Sequence, residues 1–395
     1  MSATVEQTPR QILVVDDEPD LELLVRQRFR RQIRDGEFEF FFSHNGEEAL
    51  LALDGTPSIN VVLSDINMPV MDGLTLLGKL RERQGVVKAV VVSAYGDMPN
   101  IRTAMNRGAI DFLMKPIDFE DLEITIRKTL DHVAEIKQSQ QAQENLLAIR
   151  QELGVAARIQ QSILPRTFPP FPQRTDFQLH ASMIPAKEVG GDFFDFFLLD
   201  QDHLGLVLGD VSGKGVPAAL FMAVSRTLLR ATALQKLAPG ECLQYVNTTL
   251  AAQNPSHMFV TLFYGILNTR TGELRYANGG HNPPYVFSRE GKVRVLPGDK
   301  NGMIVGLLDG ASYQTASHTI APGEGLFVFT DGVTEAMDRN QDFFTEEKLE
   351  GLLAQHGALP VDQLVQQVMA SVEQFAAGTA QSDDITVMAM RYLGN

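Results

Sequence analysis

Residues 188–215, EVGGDFFDFFLLDQDHLGLVLGDVSGKG, predict a β-hairpin with an acidic residue at each end. Two apolar runs, FFDFFLL and HLGLVLG, flank the turn-forming DQD, a pattern typical of antiparallel strands. Because the first residue of one hairpin strand lies beside the last residue of the other, we expect Asp192 to lie close to Asp210. Adjacent carboxylates repel each other and often share a divalent cation, although solvated turn aspartates explain such a pair equally well.

Composition limits the class of protein. A chain of 395 residues predicts two or three domains, and it has no apolar run approaching the length of a membrane span. The first ten residues are polar and are not typical of a signal peptide, and the single cysteine, Cys242, fits a reducing compartment. A net charge of -15 argues against nucleic-acid binding. We therefore expect a cytoplasmic protein that binds neither membranes nor nucleic acids.

The N-terminal third alternates short apolar runs with helix-like segments. The apolar runs are residues 12–15, 38–42, 60–64, 89–93 and 111–114. The helix-like segments are residues 21–31, 46–53, 75–82, 98–107 and 118–136. Five βα repeats of this kind predict an α/β domain with a doubly wound parallel sheet, covered by helices on both faces.

Chemically active side chains follow the strands of this predicted sheet. Three carboxylates, a hydroxyl and an ammonium stand at the carboxyl ends, contributed by Asp16, Asp17, Asp65, Ser93 and Lys115. Ligands bind at this edge of such sheets. A cation held by the carboxylates could neutralise an incoming phosphoryl group, Asp65 could attack it, and Lys115 could balance the acyl phosphate.

Residues 10–134 resemble a response-regulator receiver domain through the motifs VVDDEPD, LSDINMPVMDG, VVVSAYGD and FLMKP. The resemblance implies a flavodoxin-like domain in which a partner histidine kinase phosphorylates Asp65. It implies a Mg²⁺ site made by Asp16, Asp17, Asp65 and the backbone carbonyl of Asn67. It also implies that Ser93 and Phe112 form a switch pair, with Lys115 beside it, that rearranges when Asp65 is modified.

A connector follows the receiver. Residues 118–136 carry an amphipathic helical stripe, residues 137–145 lack apolar side chains, and helical spacing resumes at 146–163 before Pro165. A solvated spacer or a dimer-forming stalk would both fit, and we favour a signalling helix that forms a homodimer. The predicted organisation is a flexible N-terminus at 1–9, a receiver at 10–134, a helical linker at 135–165 and a final domain at 166–395.

The final domain groups its strands differently. After the hairpin, the sequence predicts helices at 216–237 and 241–254, and later a helix at 346–375. The further predicted strands are residues 259–267, 272–279, 284–289, 292–296, 325–332 and 384–392. Hairpins outnumber crossovers, so we expect antiparallel sheets packed as a sandwich with helices outside.

Acidic residues again stand at strand ends in this domain. Asp331 follows one strand, and Asp383 with Asp384 precedes the last, in addition to Asp192 and Asp210. Each alone is explained as a turn residue, but the set together favours a metal site. The domain shows no histidine or cysteine with ligand spacing, and oxygen-only ligation suits Mg²⁺ or Mn²⁺ rather than Zn²⁺.

Residues 150–395 resemble the SpoIIE/RsbU-type branch of the type 2C metal-dependent Ser/Thr protein phosphatases. The motifs are AARIQQSILP, PAKEVGGDFFDFF, GDVSGKGVPAALFM, ANGGHNPP, FTDGVTEA and DDITVM. The resemblance implies an α/β/β/α sandwich with two Mn²⁺ or Mg²⁺ ions between the sheets.

The same resemblance implies specific ligand roles. Asp210 would bridge both metals and the Val211 carbonyl would bind one of them. Asp331 and Asp383 would hold the first metal and Asp192 the second, with Asp384 ranked below Asp383.

Lys214 is either part of the site or a solvated loop charge. His281 is either a proton donor or a residue that fixes its loop, and we favour the second role.

These expectations combine into a response regulator with a phosphatase output. Phosphorylation of Asp65 would control dephosphorylation of phosphoserine or phosphothreonine on a partner. The resemblance implies that this partner is a STAS-type anti-sigma-factor antagonist. The alternative is a non-catalytic adaptor that binds a sigma or anti-sigma factor, but such a domain would be expected to lose metal-binding aspartates.

Overall fold

The computed structural model describes residues 8–83, 85–94, 97–298 and 302–394. The chain divides into two compact units, Met1–Ala148 and Ile149–Asn395. Tyr95 and Gly96 of the VVVSAYGD motif lie outside the described residues. Among the described helices, none combines the length and apolar character needed to cross a membrane.

The first unit is built on a parallel sheet with the order β2-β1-β3-β4-β5. Its strands are β1 (Arg10–Val15), β2 (Phe38–Ser43), β3 (Val61–Asp65), β4 (Lys88–Ala94) and β5 (Asp111–Lys115). Its helices are α1 (Pro19–Arg28), α2 (Arg30–Arg34), α3 (Gly46–Gly55), α4 (Gly73–Glu82), α5 (Met98–Asn106) and the start of α6 (Phe119–Ile163). Alternate residues of β1 enter separate cores on the two faces of the sheet. The predicted doubly wound fold is confirmed.

The single helix predicted at residues 21–31 is wrong. The chain forms α1 and α2 with a break at Phe29, whose side chain is fully buried. The Phe29 ring packs against Phe38 and Phe40 of β2, with ring centroids 6.0 and 5.2 Å apart. Burial of this aromatic ring therefore overrides local helical preference at that residue.

The helix α6 runs without interruption through the polar stretch 137–145. Gln, Lys, Glu and Ala in this stretch are good helix formers, so the backbone stays helical although no apolar stripe covers it. The helix ends at Ile163, shortly before Pro165, as the sequence predicts.

The second unit contains two antiparallel sheets. Its elements are β6 (Phe177–Ile184), β7 (Phe193–Leu198), β8 (His203–Val211), α7 (Val216–Ala233), α8 (Pro239–Ala251), β9 (Val260–Asn268), β10 (Glu273–Gly279), β11 (Tyr285–Phe287), β12 (Val293–Val295), β13 (Ala316–Thr319), β14 (Gly325–Phe329), α9 (Asp331–Thr334), α10 (Glu346–His356), α11 (Val361–Phe375) and β15 (Ile385–Tyr392). The sheet orders are β13-β10-β9-β8-β7 and β12-β11-β14-β15-β6. Helices α7 and α8 pack on the first sheet and α11 packs on the second, which confirms the α/β/β/α sandwich.

Several elements differ from their predicted extents. The helix predicted at 346–375 is two helices, α10 and α11, and the helix predicted at 216–237 ends at Ala233. Pro360 precedes α11, and the buried guanidinium of Arg391 donates to the carbonyls of Gly357 and Leu359, which fixes the turn. The elements β6, β13 and α9 were not predicted.

Candidate functional site

The carboxylates of Asp16, Asp17 and Asp65 converge in the first unit. Strands β1 and β3 are parallel neighbours, so their carboxyl ends meet, and one oxygen of each aspartate lies within 4.8 Å of the others. Asp16 and Asp65 are buried and Asp17 is exposed. A Cβ at Gly73 would clash with the Asp65 carbonyl, so glycine allows α4 to begin directly against β3.

Lys115 lies at the centre of this acidic cluster. Its Nζ is 2.7 Å from Asp65 Oδ2, 3.0 Å from Asp16 Oδ2 and 2.9 Å from Glu18 Oε1. Burial alone would lower the pKa of Lys115, but hydrogen bonds to Asp65, Glu18 and Asp16 together raise it. Burial raises the pKa of Asp16, and its bonds to the Glu18 amide and to Lys115 offset this in part. Glu18 was not predicted to take part.

The remaining receiver residues surround the cluster. The Asn67 amide donates to Asp65 Oδ1 at 3.3 Å. Ser93 is fully buried on β4, and its Oγ donates to Asp97 Oδ2 at 3.1 Å. Phe112 on the neighbouring β5 is 36% exposed, so its ring has room to move toward or away from solvent. The acidic oxygens fit a hard divalent cation, because like charges at this spacing need a counter-charge.

The second acidic cluster forms where the ends of the two sheets of the sandwich meet. In the hairpin of β7 and β8, Phe193 pairs with Gly209, so Asp192 and Asp210 lie at its open end. Asp331 begins α9 after β14, and Asp383 precedes β15, the strand that pairs with β14. Glycine at 332 allows this approach, since a Cβ there would clash with the Asp384 carbonyl.

Two threonines of the second sheet hold Asp192. Thr330 Oγ1 and Thr386 Oγ1 donate to Asp192 Oδ2 at 2.8 and 2.6 Å. Both threonines are fully buried, and sequence reasoning missed them because hydroxyls are common on strands. They link the hairpin of the first sheet to β15 of the second and to the residue that directly follows β14.

Burial and mutual repulsion shape the electrostatics of this cluster. The pKa of Asp192 is raised well above its usual value by burial and by the charges of Asp210 and Asp384. Burial, with repulsion from Asp331 and Asp383, raises the pKa of Asp210 to about 7. Burial also raises the pKa of Asp331. Buried carboxylates of this kind favour binding of a cation that neutralises them.

The acids of the second unit are spaced more widely than those of the receiver. Within the described ranges, only Asp16, Asp17 and Asp65 form a set of three acids with oxygens within 4.8 Å. In the second unit Asp383 pairs with Lys214 at 2.8 Å, and Lys214 also donates to the Ser382 carbonyl. A wider set suits acids arranged around two cations, which in two-metal sites lie about 4 Å apart.

Asp384 is already engaged by backbone amides. Its Oδ1 accepts from the Ala186 amide at 2.7 Å, and its Oδ2 accepts from the Gly191 and Asp192 amides at 2.6 and 3.2 Å. This carboxylate fixes the loop that leads into β7. A Cβ at Gly191 would lie 2.9 Å from the Val211 carbonyl oxygen, so that carbonyl faces the same loop.

The linker helix also contacts this loop. The side-chain amide of Gln160 on α6 donates to the Gly190 carbonyl at 2.5 Å and accepts from the Gly190 amide at 3.1 Å. Gln160 is 8% exposed. Its position within the motif AARIQQSILP was the only available signal, and sequence reasoning did not single it out.

His281 is buried close to the hairpin. Its Nδ1 lies 2.8 Å from Thr261 Oγ1, and Thr261 pairs with Asp210 across β8 and β9. The side chain of Asn278 bonds both the amide and the carbonyl of His281. Burial lowers the pKa of His281 to about 4, so the imidazole is neutral at neutral pH.

Comparisons with known proteins agree with the two units. Residues 12–127 match the response regulator receiver domain family, and residues 200–393 match the family of stage II sporulation protein E (SpoIIE). Protein IcfG of Synechocystis sp. is 33% identical over 271 residues, covering 61% of this chain and 41% of IcfG. Phosphoserine phosphatase RsbU of Bacillus subtilis is 26% identical over 243 residues, covering 62% of this chain and 70% of RsbU.

A solved structure shares the fold of the second unit. The SiaA-PP2C domain of Pseudomonas aeruginosa matches with a TM-score of 0.56 at 22% identity, covering 64% of this chain and 98% of that domain. The two family matches fall in separate compact units. The protein therefore joins a response regulator receiver domain to a SpoIIE-family domain with the type 2C phosphatase fold.

Proposed function

We propose that the second unit is a metal-dependent phosphatase that hydrolyses phosphoserine or phosphothreonine on a partner protein. The observation that carries the proposal is the pair Asp192 and Asp210. Both are desolvated, their pKa values are raised, and in the described part of the chain neither forms an ion pair. A carboxylate pair of this kind is suited to holding divalent cations.

The proposed ligands are all oxygen atoms. Asp210 would lie between two Mg²⁺ or Mn²⁺ ions, Asp331 and Asp383 would hold one ion, and Asp192 the other. The Val211 carbonyl would complete the set, while Asp384 keeps the loop in place. When bound, the metals would supply charge neutralisation of the phosphate and activation of water.

The chain's own residues orient this set. Thr330 and Thr386 fix the carboxylate of Asp192, which restricts its rotation. His281 bonds Thr261, which lies opposite Asp210. Because its imidazole is neutral at neutral pH, a role in fixing the loop is favoured over a role as proton donor. Lys214 restrains Asp383 and brings a positive charge to the site where a phosphate would bind.

The receiver would regulate this activity. A histidine kinase would phosphorylate Asp65 with Mg²⁺ bound by Asp16, Asp17 and the Asn67 carbonyl. The added charge would draw Lys115 and reposition Ser93 and Phe112. The relative named phosphoserine phosphatase RsbU supports phosphoserine as the substrate group, and we propose that a STAS-type anti-sigma-factor antagonist carries it. The regulated form would be a homodimer joined along α6.

The test is hydrolysis of p-nitrophenyl phosphate and of a phosphoserine peptide by the full chain, with and without Mn²⁺ or Mg²⁺. We expect turnover that requires the metal and is abolished in Asp210→Asn, while the exposed control Glu347→Gln retains it. Absence of turnover on both substrates with either metal would contradict the proposal. Tight binding to a sigma or anti-sigma factor in that case would support the adaptor instead.

A further inference from the structure

A groove of about 350 Å³ opens beside the acidic cluster of the second unit. We call it the Met337 groove. Its lining comes from α11, from the segment 376–383, which we call its wall, and from Gly332, Ala336 and Met337 in and just after α9. All of these elements belong to one compact unit.

The Met337 groove is continuous with the proposed metal centre. Its lining includes Asp383, a proposed ligand, and Gly332, the neighbour of the proposed ligand Asp331. A peptide that placed its phosphate on the metals would therefore have this groove within reach of its neighbouring residues. Contacts with parts of a substrate that lie away from the reacting phosphate allow an enzyme to discriminate between substrates.

The lining determines which residues fit. Met337 is half-buried and presents apolar surface, backed by the buried side chains of Met369 and Val372, and a methionine side chain adapts to different partners. The charged residues of the lining are Glu373 and Asp383, both acids, of which Asp383 is paired with Lys214. An aliphatic side chain is therefore favoured in the groove, with neutral or basic neighbours preferred over acidic ones.

The wall of the groove is held in place before any substrate arrives. Gln381 Nε2 donates to the carbonyls of Ile184 and Asp383 at 2.9 and 2.7 Å. Arg339 Nε donates to the Ala377 carbonyl at 3.2 Å from the other end of the segment. A preformed wall lowers the ordering cost of binding a flexible peptide.

We propose that the Met337 groove binds the residues that flank the phosphoserine of the substrate and selects for an aliphatic side chain there. This inference rests on the proposed phosphatase function. It names the substrate sequence class for that site: phosphoserine with an aliphatic residue nearby and no adjacent acidic residue.

The test compares the full chain with Ala380→Trp, which adds bulk to the groove from an exposed position, and with Met337→Gln, which makes its lining more polar. The control is Ala358→Trp, at an exposed position outside the lining. Substrates are p-nitrophenyl phosphate, which has no flanking residues, and phosphoserine peptides with leucine, serine or glutamate at each of three positions on either side.

For the wild-type chain with Mn²⁺, we expect leucine at one flanking position to raise kcat/KM by about tenfold over serine. Ala380→Trp and Met337→Gln should remove that preference and leave p-nitrophenyl phosphate turnover unchanged. The control Ala358→Trp should change neither the peptide preference nor the turnover of p-nitrophenyl phosphate. If the wild type and all three variants showed the same preference among the peptides, the groove proposal would be overturned. It would also be overturned if the two groove variants lost turnover of p-nitrophenyl phosphate and of the peptides to the same extent. Absence of metal-dependent turnover of p-nitrophenyl phosphate by the wild type would instead overturn the phosphatase function itself.

Discussion

At the scale of single residues, Asp210 combines burial with the repulsion of neighbouring acids. Its folded-state pKa of about 7 lies well above the value of 3.8 for an unperturbed aspartate. Because the folded state holds this proton more tightly, the stabilising effect is fully present below about pH 4. It is lost as the pH rises through 7, and metal-free protein should then carry an unfavourable buried charge.

The substitution Asp210→Asn should remove this pH dependence. In EDTA, we expect the stability of the variant relative to the wild type to rise by up to a few kcal/mol from pH 5 to pH 8, because the unfolded aspartate is already ionised at pH 5 whereas the folded one ionises only near pH 7. Thermal unfolding at both pH values measures the difference, with Glu347→Gln as an exposed control. A stability difference that stays constant from pH 5 to pH 8 would show that Asp210 is not the responsible group.

Metal binding should offset the loss of stability that the ionised Asp210 causes at high pH. Mg²⁺ or Mn²⁺ that binds only the folded state raises the unfolding temperature by mass action. We expect a larger rise at pH 8 than at pH 5 for the wild type, since ligands must be deprotonated, and a much smaller rise for Asp210→Asn. An equal rise in both proteins, measured by calorimetry across a metal titration, would argue that the ions bind elsewhere.

Among the elements, α6 contacts the loop that leads into β7 through Gln160. The two hydrogen bonds to Gly190 hold the backbone two residues before Asp192. Substitution by alanine would leave both Gly190 groups without these partners and loosen the position of Asp192. We expect Gln160→Ala to raise the metal concentration needed for half-maximal phosphatase activity by about tenfold.

The exposed neighbour Gln161 provides the matched control for that experiment. Gln161 lies on the same turn but its side chain is exposed, so the metal requirement of Gln161→Ala should equal that of the wild type. An unchanged metal requirement in Gln160→Ala, with normal unfolding temperature, would show that α6 does not position the loop before Asp192.

The exposed apolar residues of α6 support the proposed homodimer. Leu146 and Ile149 are 50% and 54% exposed, and their i,i+3 spacing places them on one face of the helix. We expect the wild type to sediment as a dimer and the double variant Leu146→Lys, Ile149→Lys to sediment as a monomer. Gln143→Lys, which adds charge at a polar position, should stay dimeric, and a monomeric wild type would contradict the dimer.

The elements also show what sequence patterns can and cannot predict. Continuous apolar runs predicted the parallel sheet, and the hairpin pattern predicted the pairing of β7 with β8, because both signals are local. The break at Phe29 was missed, because burial of its side chain rather than local helical preference decides it. Thr330, Thr386 and Gln160 act through partners more than 25 positions away, so no local pattern marks them.

At the scale of the whole molecule, the two units carry two different uses of clustered carboxylates. In the receiver, Lys115 partly neutralises Asp16 and Asp65. In the second unit, Asp192 and Asp210 lack such a lysine among the described residues, which favours bound metal over an internal cation. The helix α6 begins in the first unit and ends in the second, so the chain itself supplies a covalent path for a signal.

We propose that the state of Asp65 sets the rate at which the second unit removes phosphate from a phosphoserine protein. The most direct measurement is Mn²⁺-dependent phosphate release from a phosphorylated STAS-domain protein, with and without beryllofluoride as the phosphoryl mimic on Asp65. We predict that the mimic changes the rate in the wild type and has no effect in Asp65→Asn, while Asp210→Asn is inactive in both states. A rate that is the same with and without the mimic in the wild type would contradict control by the receiver.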